Sequence, residues 1–203
     1  MKKILLLNPP GTRLYVRDYY CSKVSKADYL YHPTDLLIAS GWLEPHFELR
    51  VMDCMVDRIS VEDAFRQIES FEPDGIFFIA GSVSWEEDFR FLSDVKMKVG
   101  CLMVGSGDCL LDEFDSLREC APWLDAIALD FMSDSLEKFF RTELNGENLV
   151  CADIIDLRRG LDLSDGSKLR IKGAELEIPI PRYELFPNSK YRYPFVRGRP
   201  FAS

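Results

Sequence analysis

Three short stretches of this chain combine residue types that let a ligand come close to the backbone: Asn8-Pro9-Pro10-Gly11, Gly81-Ser82-Val83-Ser84 and Gly105-Ser106-Gly107. Glycine lacks the Cβ that would hold a ligand off, and serine hydroxyls together with the free N–H groups of a helix start can hold a phosphate or an amide. Taken singly, each stretch also reads as a tight turn or a helix cap. His32, in Tyr29-Leu30-Tyr31-His32-Pro33, is a fourth candidate, because it falls between the first strand and the first helix on the side where a ligand would lie. The other histidine, His46 beside Pro45, reads as a surface residue at a helix end. Two histidines supply neither a triad with a nucleophile nor a facial metal set, and no carboxylate pair or nucleophile–base pair stands out. The six cysteines contain no C-x-x-C and no histidine partner at metal-ligand spacing. The pattern is therefore that of a binding module, with no catalytic residue and no metal ligand assigned.

What the loops lack excludes common ligands. A dinucleotide site needs G-x-G-x-x-G after the first strand, whereas Asn8-Pro9-Pro10-Gly11 has one glycine and two residues without an N–H. NAD is excluded on that ground, despite Asp53 at the end of the second strand. A phosphorelay receiver needs acidic residues after strand one and an aspartate ending strand three, where Asn8 and Gly81 stand. A flavodoxin-type flavin site needs a hydroxyl-rich loop after strand one, and Thr12 alone is there.

The elements that must position these loops follow from hydrophobic periodicity. Ile4-Leu5-Leu6-Leu7 is a continuous apolar run, as expected of a parallel strand buried on both faces. After a long polar, tyrosine-rich loop, Leu36, Ser40, Leu43 and Phe47 recur at helical spacing behind a Thr34 cap, and Leu49–Cys54 reads as strand two. Ser60 with Asp63 resembles a capping arrangement for a helix whose apolar face is Val61, Ala64, Phe65, Ile68 and Phe71. Gly75–Ala80 is strand three. Ser84 and Glu87 repeat the capping box, ahead of a helix expected to turn Trp85, Phe89, Leu92 and Val95 inward. Gly100–Val104 is strand four, a helix carries Leu110, Phe114, Leu117 and Ala121 in phase, Ala126–Leu129 is strand five, and a last helix spans Ser133–Leu144 before Asn145-Gly146.

Five strands each followed by a helix predict an α/β fold, a flavodoxin-like (Rossmann-like) doubly wound five-stranded parallel sheet of order 2-1-3-4-5 over residues 1–149. In such a sheet the ligand crevice lies past the strand C-terminal ends at the switch point, where the three loops converge. Residues 150–203 change character. Ile154–Leu157 and Lys168–Ile171, around Asp165-Gly166, predict a β-hairpin, and Pro179, Pro181, Pro187, Pro194 and Pro200 then rule out regular structure in a linker.

Composition bounds the function. The 203 residues are 47% hydrophobic and 29% charged, enough apolar material for a self-supporting core. A net charge of −9 argues against a sequence-independent grip on nucleic acid and against an anionic membrane surface. Arg182–Ser203 runs the other way, with five basic residues against one acidic, so the remainder carries −13; this reads either as a solvated acidic body with a basic tail or as a tail made to lie on something else. Apolar runs such as Ile76–Ala80 are too short to span a bilayer, and scattered cysteines without a signal peptide predict a reducing cytoplasm.

The loops and tail together resemble the N-terminal half of cobalamin-binding-domain radical S-adenosylmethionine proteins, the group that includes anaerobic magnesium-protoporphyrin monomethyl ester cyclase. Lys3–Pro10 resembles their opening strand and turn, Pro33–Glu44 with Trp42-Leu43-Glu44 their first helix, and Arg50–Cys54 their second strand. Leu176–Pro187, reading Leu-Glu-Ile-Pro-Ile-Pro-Arg-Tyr-Glu-Leu-Phe-Pro, is similar to the linker running into their catalytic barrel, and Arg197–Ser203 to that barrel's first strand. The resemblance implies a cobalamin over the strand ends, its nucleotide tail between Asn8–Gly11, Ser82–Ser84 and Gly105–Gly107, with His32 and Gly81 nearby. It also implies a radical S-adenosylmethionine core in cis, holding a 4Fe–4S cluster and S-adenosylmethionine, beyond Ser203. The chain departs from the family in three places. The Asp-x-His-x-x-Gly motif is absent, so cobalt would have no histidine from it; Asp130-Phe131 replaces the usual Gly-Glu; and Ser106 interrupts the usual glycine pair. The rival expectation is a degenerate α/β module that holds no cobalamin and docks substrate or partner to the core. A tail without its barrel is expected to pack on its own domain or on a second copy, with weak self-association.

Overall fold

The computed structural model describes residues 1–19, 22–25, 29–111, 114–159 and 178–192. The second arm of the expected hairpin, Lys168–Ile171, and the barrel-like Arg197–Ser203 lie outside the described residues.

The chain forms an α/β structure around a mostly parallel sheet. In chain order the elements are β1 (Lys3–Asn8), β2 (Tyr15–Val16), β3 (Lys23–Val24), α1 (Thr34–Leu43), β4 (Glu48–Asp53), α2 (Cys54–Asp57), α3 (Val61–Phe71), β5 (Gly75–Ile79), α4 (Trp85–Val99), β6 (Leu102–Ser106), α5 (Phe114–Cys120), β7 (Ala126–Ala128), α6 (Ser135–Asn145) and β8 (Ile154–Asp156). The six-stranded sheet runs β4-β1-β5-β6-β7-β8, and a small two-stranded ribbon joins β2 to β3. Neighbours are parallel through β7, and β8 is antiparallel to it, with Ile127 opposite Ile155. Residues beyond the boundary expected at 149 thus add a sixth strand to the sheet.

The continuous apolar runs form the strands because both sheet faces are covered. Leu5, Leu7, Ile76, Phe78, Met103 and Ile127 face a core shared with Ala64, Ile68 and Phe71 of α3 and Leu92 and Val95 of α4. The alternate residues Ile4, Leu6, Phe77, Ile79, Val104 and Ala128 face a second core, built with Leu36, Ala39 and Leu43 of α1 and Phe139 and Phe140 of α6. This alternation is the two-residue repeat of a strand packed on both sides.

Helix starts follow the sequence in one case and depart from it in two. Ser60 caps α3, its hydroxyl accepting from the Asp63 N–H at 3.1 Å. At α1 the N-cap is Pro33, with no side-chain cap. At α4 the expected capping box is not formed, because the Ser84 hydroxyl and the Glu87 carboxylate are both engaged elsewhere. Of the face of α4 expected to turn inward, Phe89, Leu92 and Val95 are buried and Trp85 is not. Trp85 is half exposed and packs edge-on against Phe89, while Asp88 is fully buried alongside Phe89, Leu92 and Val95.

The proline-rich stretch 178–192 lies as a strap over the face that carries α1. Gly41, inside α1, is where it crosses: a Cβ there would stand 2.6 Å from the Ile180 carbonyl oxygen and 2.9 Å from Pro179 Cβ. Glycine costs a helix about 1 kcal/mol relative to alanine, and here it admits the crossing backbone. Beyond it the Arg182 N–H donates to Ser40 Oγ at 3.0 Å, the Arg182 guanidinium pairs with Glu44, and Phe186 and Tyr191 sink into the second core. The prolines hold the strap to two single turns, Tyr183–Leu185 and Asn188–Lys190.

Candidate functional site

The parallel register brings the C-terminal ends of β1, β5 and β6 side by side, so Asn8–Gly11, Gly81–Ser84 and Gly105–Gly107 do meet at one end of the sheet. The long loop after β1 fills the space they enclose. Tyr15 Oη donates to Glu87 at 2.9 Å, Arg17 enters between β1 and α4, the Tyr19 hydroxyl donates to the Leu129 carbonyl, and the Ser22 N–H donates to Asp108 Oδ2 at 2.8 Å. The loop therefore spans the row of strand ends from β1 to β7. Tyr19 also meets Phe131 edge-on at 5.3 Å.

Arg17 is the centre of this arrangement. Its side chain is wholly buried, its Nε and Nη2 donate to the two oxygens of Asp88 at 2.8 and 2.6 Å, and its Nη1 donates to Asn8 Oδ1 at 2.8 Å and the Pro9 carbonyl at 3.0 Å. Asp88 also accepts from Ser84 Oγ at 2.8 Å and the Gly81 N–H at 3.2 Å. Burial pushes the Asp88 carboxyl above its ordinary pKa, while Arg17, Ser84 and Gly81 pull it back towards ionisation. A buried charge on each side is tolerated because the pair is bidentate and its remaining valences are met by hydrogen bonds.

The network continues through Asn8. Its Nδ2 donates to Asp53 Oδ1 at 2.8 Å, and the same oxygen caps α2 by accepting from the Met55 and Val56 N–H groups. Burial raises the Asp53 pKa against these donors and against the Tyr191 hydroxyl. Glu87, nearer the surface, is pushed up by partial burial but held below the usual carboxylate range overall by the Thr12 N–H and hydroxyl and by Tyr15.

These contacts decide what the three loops can hold. The Ser82 N–H donates to Asp108 Oδ1 at 2.8 Å, the Val83 N–H to Ser22 Oγ at 3.2 Å, and the Gly81 N–H to Asp88. The donors that would cradle a phosphate or amide at the start of α4 are thus spent on the chain's own side chains, two of them carboxylates. The space left by the glycines is likewise taken. A Cβ on Gly81 would stand 2.6 Å from Ser22 Cβ, one on Gly105 would stand 2.6 Å from Leu110 and Phe78, and one on Gly11 would stand 2.7 Å from the Tyr15 ring. Gly107, at φ +123°, lies so close to Ala80 that a Cβ would overlap the Ala80 carbonyl oxygen. Ser106 is fully buried and donates to Asp35 Oδ2 at 3.1 Å. In this arrangement the residues do not fit a corrinoid nucleotide tail.

His32 is buried but does not face the crevice. Its Nε2 is 2.7 Å from Asn188 Oδ1, and its ring stacks on Tyr191 at 3.9 Å and meets Tyr183 edge-on, so it belongs to the seat of the strap. His46 lies at the end of the α1 region, 3.2 Å from Glu137. Cys101 is a buried thiol pushed up to about 12 by its burial. Among the described residues no group of three or more His, Cys, Asp or Glu side chains could hold a metal ion, and no helix is long and apolar enough to cross a membrane.

Sequence reasoning missed Arg17, Asp88 and Asp108. For Asp88 a signal existed: it stands four and seven residues before the core residues Leu92 and Val95, on the buried stripe of α4. For Arg17 there was none, since an arginine in a polar loop defaults to solvent. In comparison with known proteins, the chain matches no family model and no curated protein.

Proposed function

We propose that this chain is a docking module of the cobalamin-domain type in which the corrinoid site is occupied by the chain itself. Its work on this reading is to hold a partner domain, a radical S-adenosylmethionine core in cis, against the strand ends. The flavodoxin-like order of the five parallel strands, β4-β1-β5-β6-β7, is part of the reading, because it makes the gap between β1 and β5 the crevice where such domains bind ligands. The observation that carries it is the buried Arg17–Asp88 pair with Asn8 and Ser84, which fills that crevice with a satisfied polar network. The strap supports it, since Tyr191 and Phe186 anchor residues 183–192 in the domain core. The exposed apolar side chains of Val83, Trp85, Ile178, Ile180 and Tyr183 supply surface for a partner.

Titration with hydroxocobalamin tests this directly. The docking reading expects an unperturbed cobalamin spectrum and no calorimetric heat up to high micromolar ligand. A saturable spectral change would overturn it in favour of a cobalamin-binding domain whose loop after β1 swings out. Running the titration in parallel on Arg17→Gly, which removes the plug, measures how far that side chain excludes the ligand.

A further inference from the structure

We propose that the outer edge of β4 is an interface at which two copies of this chain pair strand to strand. β4 is an end strand of the six-stranded sheet, and among the described residues no other strand pairs with its outer edge. The surface runs along a strand rather than across the strand ends, so it does not rest on the docking reading. It is also separate from the tail contact expected from sequence.

The Glu48 N–H donates to the Lys2 carbonyl at 2.9 Å, which points the backbone groups of Glu48, Arg50 and Met52 at β1. In a strand the next residue points the other way, so the N–H and C=O groups of Leu49 and Val51 face outward. Unpaired edge groups of this kind are a template for another strand, and proteins blunt them with a bulge, a proline, a very short strand or charged side chains. β4 has no bulge and no proline: its six residues run in unbroken register with β1, from Lys3 opposite Glu48 to Asn8 opposite Asp53. The other end strand, β8, has three residues, and its Asp156 is already paired with Arg158 and Arg159.

The charges on β4 decide which strand fits. Glu48 and Arg50 are exposed on the α3 side of the sheet, where the Arg50 guanidinium lies over the Phe71 ring at 4.7 Å. Lys3, beside Glu48 on β1, donates its ammonium to the Phe71 carbonyl at 3.1 Å, and neither Glu48 nor Arg50 has an ion pair among the described residues. A two-fold axis normal to the sheet sets two β4 strands antiparallel. Centred on Leu49, it places Glu48 opposite Arg50 of the second copy twice over, with the outward backbone groups facing each other. Centring it on Glu48 or Arg50 sets like charges opposite, and centring it on Val51 sets Arg50 opposite Met52. Charge thus selects one register. The spacing Glu-Leu-Arg is complementary to its own reverse, which commits the edge to a second copy of this chain. The contact is small and each copy carries −9, so the dimer is a weak one.

Sedimentation velocity of the whole chain, from about 5 to about 500 μM, is the test. We expect a monomer–dimer equilibrium with a dissociation constant of about 10–100 μM. Arg50→Glu, which turns both cross-strand pairs into like charges, should weaken association about tenfold or more with unchanged circular dichroism. The charge swap Glu48→Arg/Arg50→Glu restores both pairs in the reverse sense and should recover the parent's association. Because the swap also lacks the Arg50–Phe71 contact, that recovery assigns the effect to the pairing across the edge. A monomer at every concentration overturns the proposal and leaves the edge to a strand of another protein. A dimer indifferent to Arg50→Glu, or one that the charge swap does not recover, overturns it as well by placing the contact elsewhere on the chain.

Discussion

The Tyr191 hydroxyl donates to Asp53 Oδ2 at 2.9 Å, joining residues 138 positions apart with both side chains buried. That single bond ties the strap to the polar network under the strand ends, since Asp53 is held by Asn8 and Asn8 by Arg17. The strap and the filled crevice are therefore parts of one structure.

Tyr191→Phe should cost about 1–3 kcal/mol, the range for leaving a buried acceptor without its donor, while leaving the ring's packing on His32 in place. Urea unfolding gives the stability, and hydrogen exchange should show faster opening of residues 183–192 than of β1. Equal protection of the strap in variant and parent would mean that the bond does not hold it.

Arg17→Met strands Asp88 as an unpaired buried charge and should destabilise by about 3–5 kcal/mol. Adding Asp88→Leu should recover part of this, because the charge is gone although Asn8, Ser84 and Gly81 still lose partners. A double-mutant cycle measured by denaturant midpoint is the check, and additive effects would contradict a coupled pair.

Gly107→Val should destabilise the fold itself. The residue sits at φ +123° against the Ala80 carbonyl, so a branched side chain brings backbone strain and overlap together, about 1–3 kcal/mol or more. Thermal unfolding would show it, and an unchanged midpoint would place Gly107 outside the packed loop.

Asp35, buried in the first turn of α1, has its pKa raised to about 7 by burial, against the Ser106 hydroxyl that donates to it. The unfolded chain releases this proton near the ordinary carboxylate value, so between about pH 4 and 7 the folded state holds more protons than the unfolded one. Stability from this group is full below that window, falls as pH rises through it, and levels off above about 7. Asp35→Asn should flatten this part of the pH–stability curve. A variant curve that tracks the parent's slope from pH 4 to 7 would assign the slope to other groups.

Local pattern alone determined the elements that bury apolar side chains. The runs at Ile4–Leu7 and Ile76–Ile79, the α3 face of Ala64, Ile68 and Phe71, and the Ser60 cap follow from spacing, because contact with solvent or core is a property each residue expresses within a turn or two of its neighbours. The convergence of Asn8–Gly11, Gly81–Ser84 and Gly105–Gly107 followed as well, since parallel strands joined by helices leave their C-terminal loops on one edge. What occupies that edge was decided only by tertiary structure. Arg17 and Asp88 are 71 residues apart, Tyr191 and Asp53 138, and β8 joins β7 rather than serving a local hairpin alone. A charged or hydroxyl side chain carries no mark of its partner, and its default is water. Only when the fold brings a bidentate acceptor or a buried carboxylate within 3 Å does burial become affordable, and the same glycines and serines that could have received a ligand are then filled by the chain itself.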